Sequence, residues 1–302
     1  MAAPVPSGPA PAAPSPARDY AEAVARYQRV RAAEDSTVNG DCLPRLLTHG
    51  GRTVRAVVLL HGFTNCPKQF DSLASLLYAR GFNVYLPRVP RHGLADRMTT
   101  ALAGLTAEDL AGAAESALDL AHGLGERVTV VGLSSTAVAA AWLAAHRDDL
   151  DEAVVIAPAL SPRGVSLPWT KRLTSTLLVA PNFFAWWNSK LKDRVGGPRQ
   201  CYPRFPSRGL AQVYRLGFSV LDDAAREKPA ARRVAVLTTA SDEGVGNEAA
   251  WELTRRWRAR GGDVRAVEFP ESLGVHHDMI DPAQPYQRIG IAYPEILRAI
   301  SP

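Results

Sequence analysis

The chain has 302 residues, 46% hydrophobic and 22% charged, with a formal net charge of +5. That length and mix suit one large domain with its own core, and they exclude a collagen-like, wholly disordered or disulfide-scaffold protein. The cations, 5 Lys and 30 Arg, are scattered among 30 acids. The densest group, Arg255, Arg256, Arg258 and Arg260, lies among Leu253 and Trp257 and reads as the wet face of a helix, so no nucleic-acid partner is expected.

In chain order, residues 1–17 are rich in Pro and Ala without hydrophobic period and are expected to form a disordered tail. They lack the basic start and apolar core of a secretory signal. Cytoplasmic location is the expectation, with export left open. A domain over 18–302 follows, opened by a helix that Asp19 can cap. Val54–Leu60 is a continuous apolar run, as in a strand buried on both faces. Then come a helix over Lys68–Arg80, a strand over Phe82–Leu86, a helix over Thr106–His122 and a strand over Arg127–Val131. Next are an Ala-rich helix over Ser135–His146 and a strand over Ala153–Ile156. After a long interval, Val234–Thr239 and Val264–Phe269 read as strands around a helix over Glu248–Arg260, and Pro285–Ile300 closes with helical spacing. Strand and helix alternate at least five times, which predicts an α/β protein with a mostly parallel central sheet and helices on both faces. No apolar run approaches ~18 residues, so no membrane span is expected.

Residues 160–230 break the rhythm. They carry Trp169, Phe183, Phe184, Trp186, Trp187, Tyr202, Phe205, Tyr214 and Phe218. An insertion of that size and aromaticity is expected to be a helical lid over the site; extra helices packed on the sheet edge are the plainer alternative. The three Cys, at 42, 66 and 201, show neither framework nor metal spacing. Free thiols are the expectation, with a Cys42–Cys66 bridge left open.

In open α/β sheets ligands sit beyond the carboxyl ends of the strands. There this sequence places His61-Gly62-Phe63, Gly132-Leu133-Ser134-Ser135-Thr136, Ser241-Asp242-Glu243 and His276-His277-Asp278. A Ser hydroxyl becomes a nucleophile when a base takes its proton, and a carboxylate holds a His base in the right tautomer. Two backbone N–H groups must then face the oxyanion, here those of Phe63 and Ser135. His92 reads as structural, and Cys66 lacks the sharp turn a nucleophile needs. No nucleotide or metal motif appears, so no cofactor is expected.

LLHGFTN (59–65), VVGLSST (130–136), the Asp242 strand end and GVHHDMID (274–281) together resemble the α/β-hydrolase family, particularly small bacterial carboxylesterases and monoglyceride-lipase-like enzymes. The resemblance covers roughly 50–302. It implies an α/β-hydrolase fold and cleavage of carboxylic esters through an acyl-enzyme, with Ser134 as nucleophile, Asp242 as acid and His277, favoured over His276, as base. A small apolar ester is the substrate class it implies. The oligomeric state is left open. An amidase, thioesterase, carbon–carbon hydrolase or acyltransferase on the same scaffold is an alternative reading. So is an inactive binding protein, because Thr136 stands where the family's G-x-S-x-G turn has its second Gly. A β-branched residue there takes up space where strand and helix converge.

Overall fold

The computed structural model describes residues 5–191 and 198–300. The elements in chain order are α1 (Tyr20–Ala32), β1 (Arg45–Leu47), β2 (Thr53–Leu60), α2 (Asp71–Ala79), β3 (Asn83–Leu86), α3 (Ala107–Ala121), β4 (Gly125–Leu133), α4 (Ser135–His146) and β5 (Glu152–Ile156). They continue with α5 (Leu167–Val179), β6 (Phe184–Trp186), β7 (Arg204–Pro206), α6 (Ser207–Ala224), β8 (Arg233–Thr239), α7 (Asn247–Ala259), β9 (Val264–Phe269) and α8 (Ile289–Ile300). Seven strands form one sheet in the order β1-β3-β2-β4-β5-β8-β9, parallel except for β1, which runs antiparallel to β3.

Local chemistry sets the helix starts. Asp19 accepts the Glu22 N–H at 2.8 Å to cap α1. Thr106 and Asp109 form a reciprocal capping box on α3, each side chain accepting the other's backbone N–H at 3.0 Å. The strands are explained by burial. Ala56–Leu60 of β2, Val128–Leu133 of β4 and all of β5 are buried at every position. Since alternate side chains of a strand point to opposite faces, both faces of the sheet are covered. Each fully buried Leu or Val there is worth roughly 1.5–3 kcal/mol. Packing among α3, α4 and α6, with Trp142 fully buried in α4, extends this core. No helix among the described residues is long and apolar enough to cross a membrane.

Three expectations change. The N-terminal segment has no helix or strand over 5–17, yet it is not free. Ala12 N–H donates to Glu115 Oε1 at 2.8 Å, Ser15 N–H to Asp119 Oδ2 at 3.0 Å and Ala17 N–H to the Asp119 carbonyl at 2.8 Å. Ala17 is buried, and Val5 packs against the core. The physical reason is that α3 turns two carboxylates toward a strap of backbone donors, which composition does not reveal; residues 1–4 lie outside the described part. Second, Cys42 and Cys66 are not free thiols but form a disulfide, and Cys201 is the free one. Gly93 crosses this bridge so closely that a Cβ would stand 2.7 Å from that of Cys42, and its φ of 66° also suits Gly.

Third, the 160–230 segment is not one unit. Its second half, α6, is an amphipathic helix whose Ala211, Val213, Leu216 and Val220 are buried against the helical layer, so it belongs to the core. α5 packs on α6 in turn, and the β6–β7 hairpin forms a separate two-stranded sheet. Trp169, Phe183 and Trp187 are exposed in this stretch. Residues 192–197 of the expected lid lie outside the described part.

Candidate active site

The loops at the carboxyl ends of β2, β4 and β9 converge on a cavity of about 390 Å³ lined by Phe63, Ser134, Trp186, Trp187, His277 and Tyr286, among others. Ser134 lies between β4 and α4 in a left-handed conformation, φ 61° and ψ −112°. Its backbone is fixed on both sides: its N–H donates to the Ile156 carbonyl at 2.9 Å, and its own carbonyl accepts Ala159 N–H at 3.1 Å. The turn is tight enough that a Cβ on Gly132 would overlap the Thr136 carbonyl. Thr136 itself is accommodated. Its buried hydroxyl donates to the Leu60 carbonyl at 2.7 Å and lies 3.1 Å from the N–H and the carbonyl of Leu133. The hydroxyl satisfies strand-end groups that a second Gly would leave to other partners, so the β-branch does not open the turn.

Asp242 follows β8 and is 2% exposed. Its Oδ1 accepts Gly244 N–H at 2.8 Å and Val245 N–H at 2.9 Å; its Oδ2 accepts His277 Nδ1–H at 2.7 Å. Burial works against the Asp242 charge, but the imidazole and the two backbone donors outweigh it and hold its pKa below the usual carboxylate value. Burial likewise works against a charged His277, and the Asp242 carboxylate, helped by the Asp278 charge, outweighs it and raises the His277 pKa above its ordinary value. The hydroxyl of Thr239 donates to the Val275 carbonyl, tying the His277 loop to the end of β8. It is thus His277 whose ring meets Asp242, while the His276 ring lies against Tyr286, centroids 5.5 Å apart. Asp278 turns away toward Gln69 and Gln284. The Ser134 hydroxyl shares the cavity with His277, but no hydrogen bond joins them among the described residues. Such bonds are often long without substrate and tighten when it binds.

His61 builds the β2 end. It is fully buried, and its Nε2 accepts Val89 N–H at 3.1 Å, which leaves the proton on Nδ1 to donate to the Gly62 carbonyl at 3.1 Å. Burial, reinforced by the neighbouring His92, holds the His61 pKa well below normal, so the ring is neutral. A trans peptide points its carbonyl and N–H in opposite directions. With the Gly62 carbonyl drawn to His61 and to Asn65 N–H, the Phe63 N–H is turned the other way. Neither the Phe63 nor the Ser135 amide donates a hydrogen bond among the described residues. His92, buried with its pKa lowered to about 4 by that burial, donates from Nδ1 to the Pro90 carbonyl at 2.9 Å.

Several residues at the site gave no signal in the sequence. Thr64, at φ 64°, accepts the Trp187 indole N–H at 2.9 Å on Oγ1, and its carbonyl accepts Tyr202 N–H at 2.8 Å. These bonds seat the β6–β7 hairpin on the loop after β2. Gln69 and Asp278 join two loops 209 residues apart in sequence.

A strand-end serine and an imidazole–carboxylate pair thus lie at the carboxyl edge of the parallel strands, near two amides that donate no bond among the described residues. The model of the alpha/beta hydrolase family matches residues 57–293, and the chain belongs to that family. No curated protein matches it by sequence. Among solved structures, the fold is similar to one from the metagenome-derived lipolytic enzymes LipS and LipT (TM-score 0.65, 18% identity, 87% of this chain and 98% of that one). It is also similar to the monoacylglycerol lipase of Paleococcus ferrophilus (TM-score 0.62, 19% identity, 85% and 98%). A third similar structure is a soluble variant of the monoglyceride lipase of Saccharomyces cerevisiae (TM-score 0.64, 14% identity, 86% and 91%).

Proposed function

We propose that this protein is a serine hydrolase that cleaves carboxylic esters through an acyl-enzyme. One observation carries the reading: His277, paired with Asp242 at 2.7 Å, lines the same cavity as Ser134, which is held in a strained turn near two amides that donate no bond among the described residues. Similarity to structures named as lipases supports the choice of esters. Ser134 Oγ attacks the ester carbonyl as His277 Nε2 takes its proton. The Phe63 and Ser135 N–H groups receive the oxyanion. The bond to the alcohol breaks, His277 protonates the leaving oxygen, and a water deprotonated by His277 then releases the acid. Asp242 orients the ring and stabilises its cation throughout. Trp186, Trp187 and Tyr286 offer an apolar wall to the substrate, and the hairpin seated on Thr64 acts as its lid. The Cys42–Cys66 disulfide favours an oxidising compartment over the cytoplasm.

The test is labelling with a fluorophosphonate probe together with turnover of p-nitrophenyl butyrate. Wild type should label at Ser134 and turn over; Ser134→Ala should lose the label and ~10⁴-fold or more of kcat while staying folded. A folded wild type that neither labels nor hydrolyses the ester would sink the reading and leave a binding protein on a hydrolase scaffold.

A further inference from the structure

The loop carrying Phe63 and the loop carrying His277 meet through one buried side chain. Gln69 is 3% exposed, in a short 3-10 turn after Cys66. Its Oε1 accepts Gly62 N–H at 2.8 Å, and its Nε2 donates to Asp278 Oδ2 at 2.8 Å. The same carboxylate oxygen accepts Gln284 Nε2–H at 2.7 Å, while Oδ1 accepts the N–H groups of Ile280 at 3.2 Å and Asp281 at 3.1 Å. Asp278 therefore gathers four neutral donors and no cation among the described residues, and it is the immediate neighbour of His277. On the other side, Gly62 is held by both of its peptide groups, its N–H by Gln69 and its carbonyl by His61 and Asn65. Only a side chain with one acceptor and one donor on the same planar head can make both of the Gln69 bonds.

We propose that Gln69 is a positioning residue that clamps the oxyanion loop to the histidine loop, so that the Phe63 amide and the His277 ring face the reacting carbonyl in a fixed mutual geometry. The proposal rests on the ester-hydrolase reading above. Gln69 touches neither base nor nucleophile; it acts through Gly62 and Asp278. A loop misplaced by about 1 Å costs on the order of 10²-fold in rate, mostly in kcat.

The polarity of the clamp supplies a readout that mere packing would not move. In Gln69→Glu, one oxygen still accepts Gly62 N–H, but the other faces the Asp278 carboxylate. Two carboxylates so close hold together only when they share a proton. In the double variant Gln69→Glu/Asp278→Asn the donor and acceptor are exchanged: the new amide at position 278 donates to the new carboxylate at position 69, and Gln284 turns its amide to present its oxygen.

The experiment measures kcat and KM for p-nitrophenyl butyrate from pH 6 to 9 in wild type, Gln69→Leu, Gln69→Glu and the double variant, with fluorophosphonate labelling alongside. Gln69→Leu should lose about 10–100-fold in kcat with little change in KM. Gln69→Glu should show a deficit relative to wild type that is largest at pH 9 and shrinks toward pH 6. The exchanged pair should recover about tenfold of the kcat lost at pH 9. If Gln69→Leu does not fold, the other two variants carry the test. A Gln69→Glu deficit that is absent or independent of pH, with no recovery in the double variant, overturns the clamp. Wild type inert to both ester and probe overturns the hydrolase reading instead, so the two failures are told apart.

Discussion

Ser134 is held where an L-residue is strained, at φ 61° and ψ −112°, at a cost of about 1–3 kcal/mol. The cost is met by the surrounding bonds to Ile156 and Ala159 and by the close approach of Gly132 to α4. A side chain so displayed is useful only if a base can act on it. In the proposed mechanism His277 must be neutral to take the proton. Its pKa stands above the ordinary ~6.5. Activity should therefore fall as pH drops through that raised value, and kcat/KM should already be declining above pH ~6.5. Asp242→Asn removes the charge that raises it. The acid limb should then move to lower pH, while kcat falls about 10⁴-fold because the ring loses its tautomer and its counter-charge. A pH–rate profile of both proteins checks this, and an unmoved acid limb in the variant would assign the titration to another group.

At the scale of elements, the disulfide is the constraint that sequence spacing left open. Cys42 lies in a turn before β1, and Cys66 starts the turn that carries Gln69, so the bridge anchors the loop after β2 to the chain preceding the sheet. Closing a 24-residue separation should stabilise the fold by about 3 kcal/mol on a chain-entropy account. Cys66→Ser is expected to lower the unfolding free energy by that amount in urea denaturation. Thiol titration of the denatured wild type should give one group before reduction and three after; three before reduction would remove the bridge from the account. The long elements were legible because their signals are local. Val54–Leu60 announces a strand buried on both faces, Thr106 and Asp109 announce a helix start, and both stand within a residue or two of the structure. Strand β1 and the β6–β7 hairpin were not legible, since three residues carry no period. Strand order brought Ser134, Asp242 and the His276–His277 pair to one edge of the sheet, but it left the choice between the two histidines to the family resemblance. The place of Gln69 could not be read, because its partners are Gly62 and a carboxylate 209 residues away.

For the molecule as a whole, the least legible feature is the N-terminal strap. A Pro- and Ala-rich segment signals weak self-structure, and nothing in its composition shows that its amides match carboxylates elsewhere. In the structure Glu115 and Asp119, both nearly buried on α3, accept the amides of Ala12 and Ser15, and Arg215 donates to the Ser7 carbonyl at 2.7 and 2.9 Å. Asp119 also accepts Arg147 Nη2–H at 2.6 Å, which ties α3 to the end of α4. Removing the strap would expose the apolar surface under Ala17 and Val5 and leave Glu115 without its backbone donor. Deleting residues 1–17 should therefore lower the unfolding free energy by about 1–3 kcal/mol. Because no strap residue among the described ones lines the cavity, kcat for the ester should stay within experimental error of wild type. Urea denaturation and steady-state kinetics on the shortened chain check both parts. An unchanged midpoint would mean that the strap's bonds are no better than those its partners make with water.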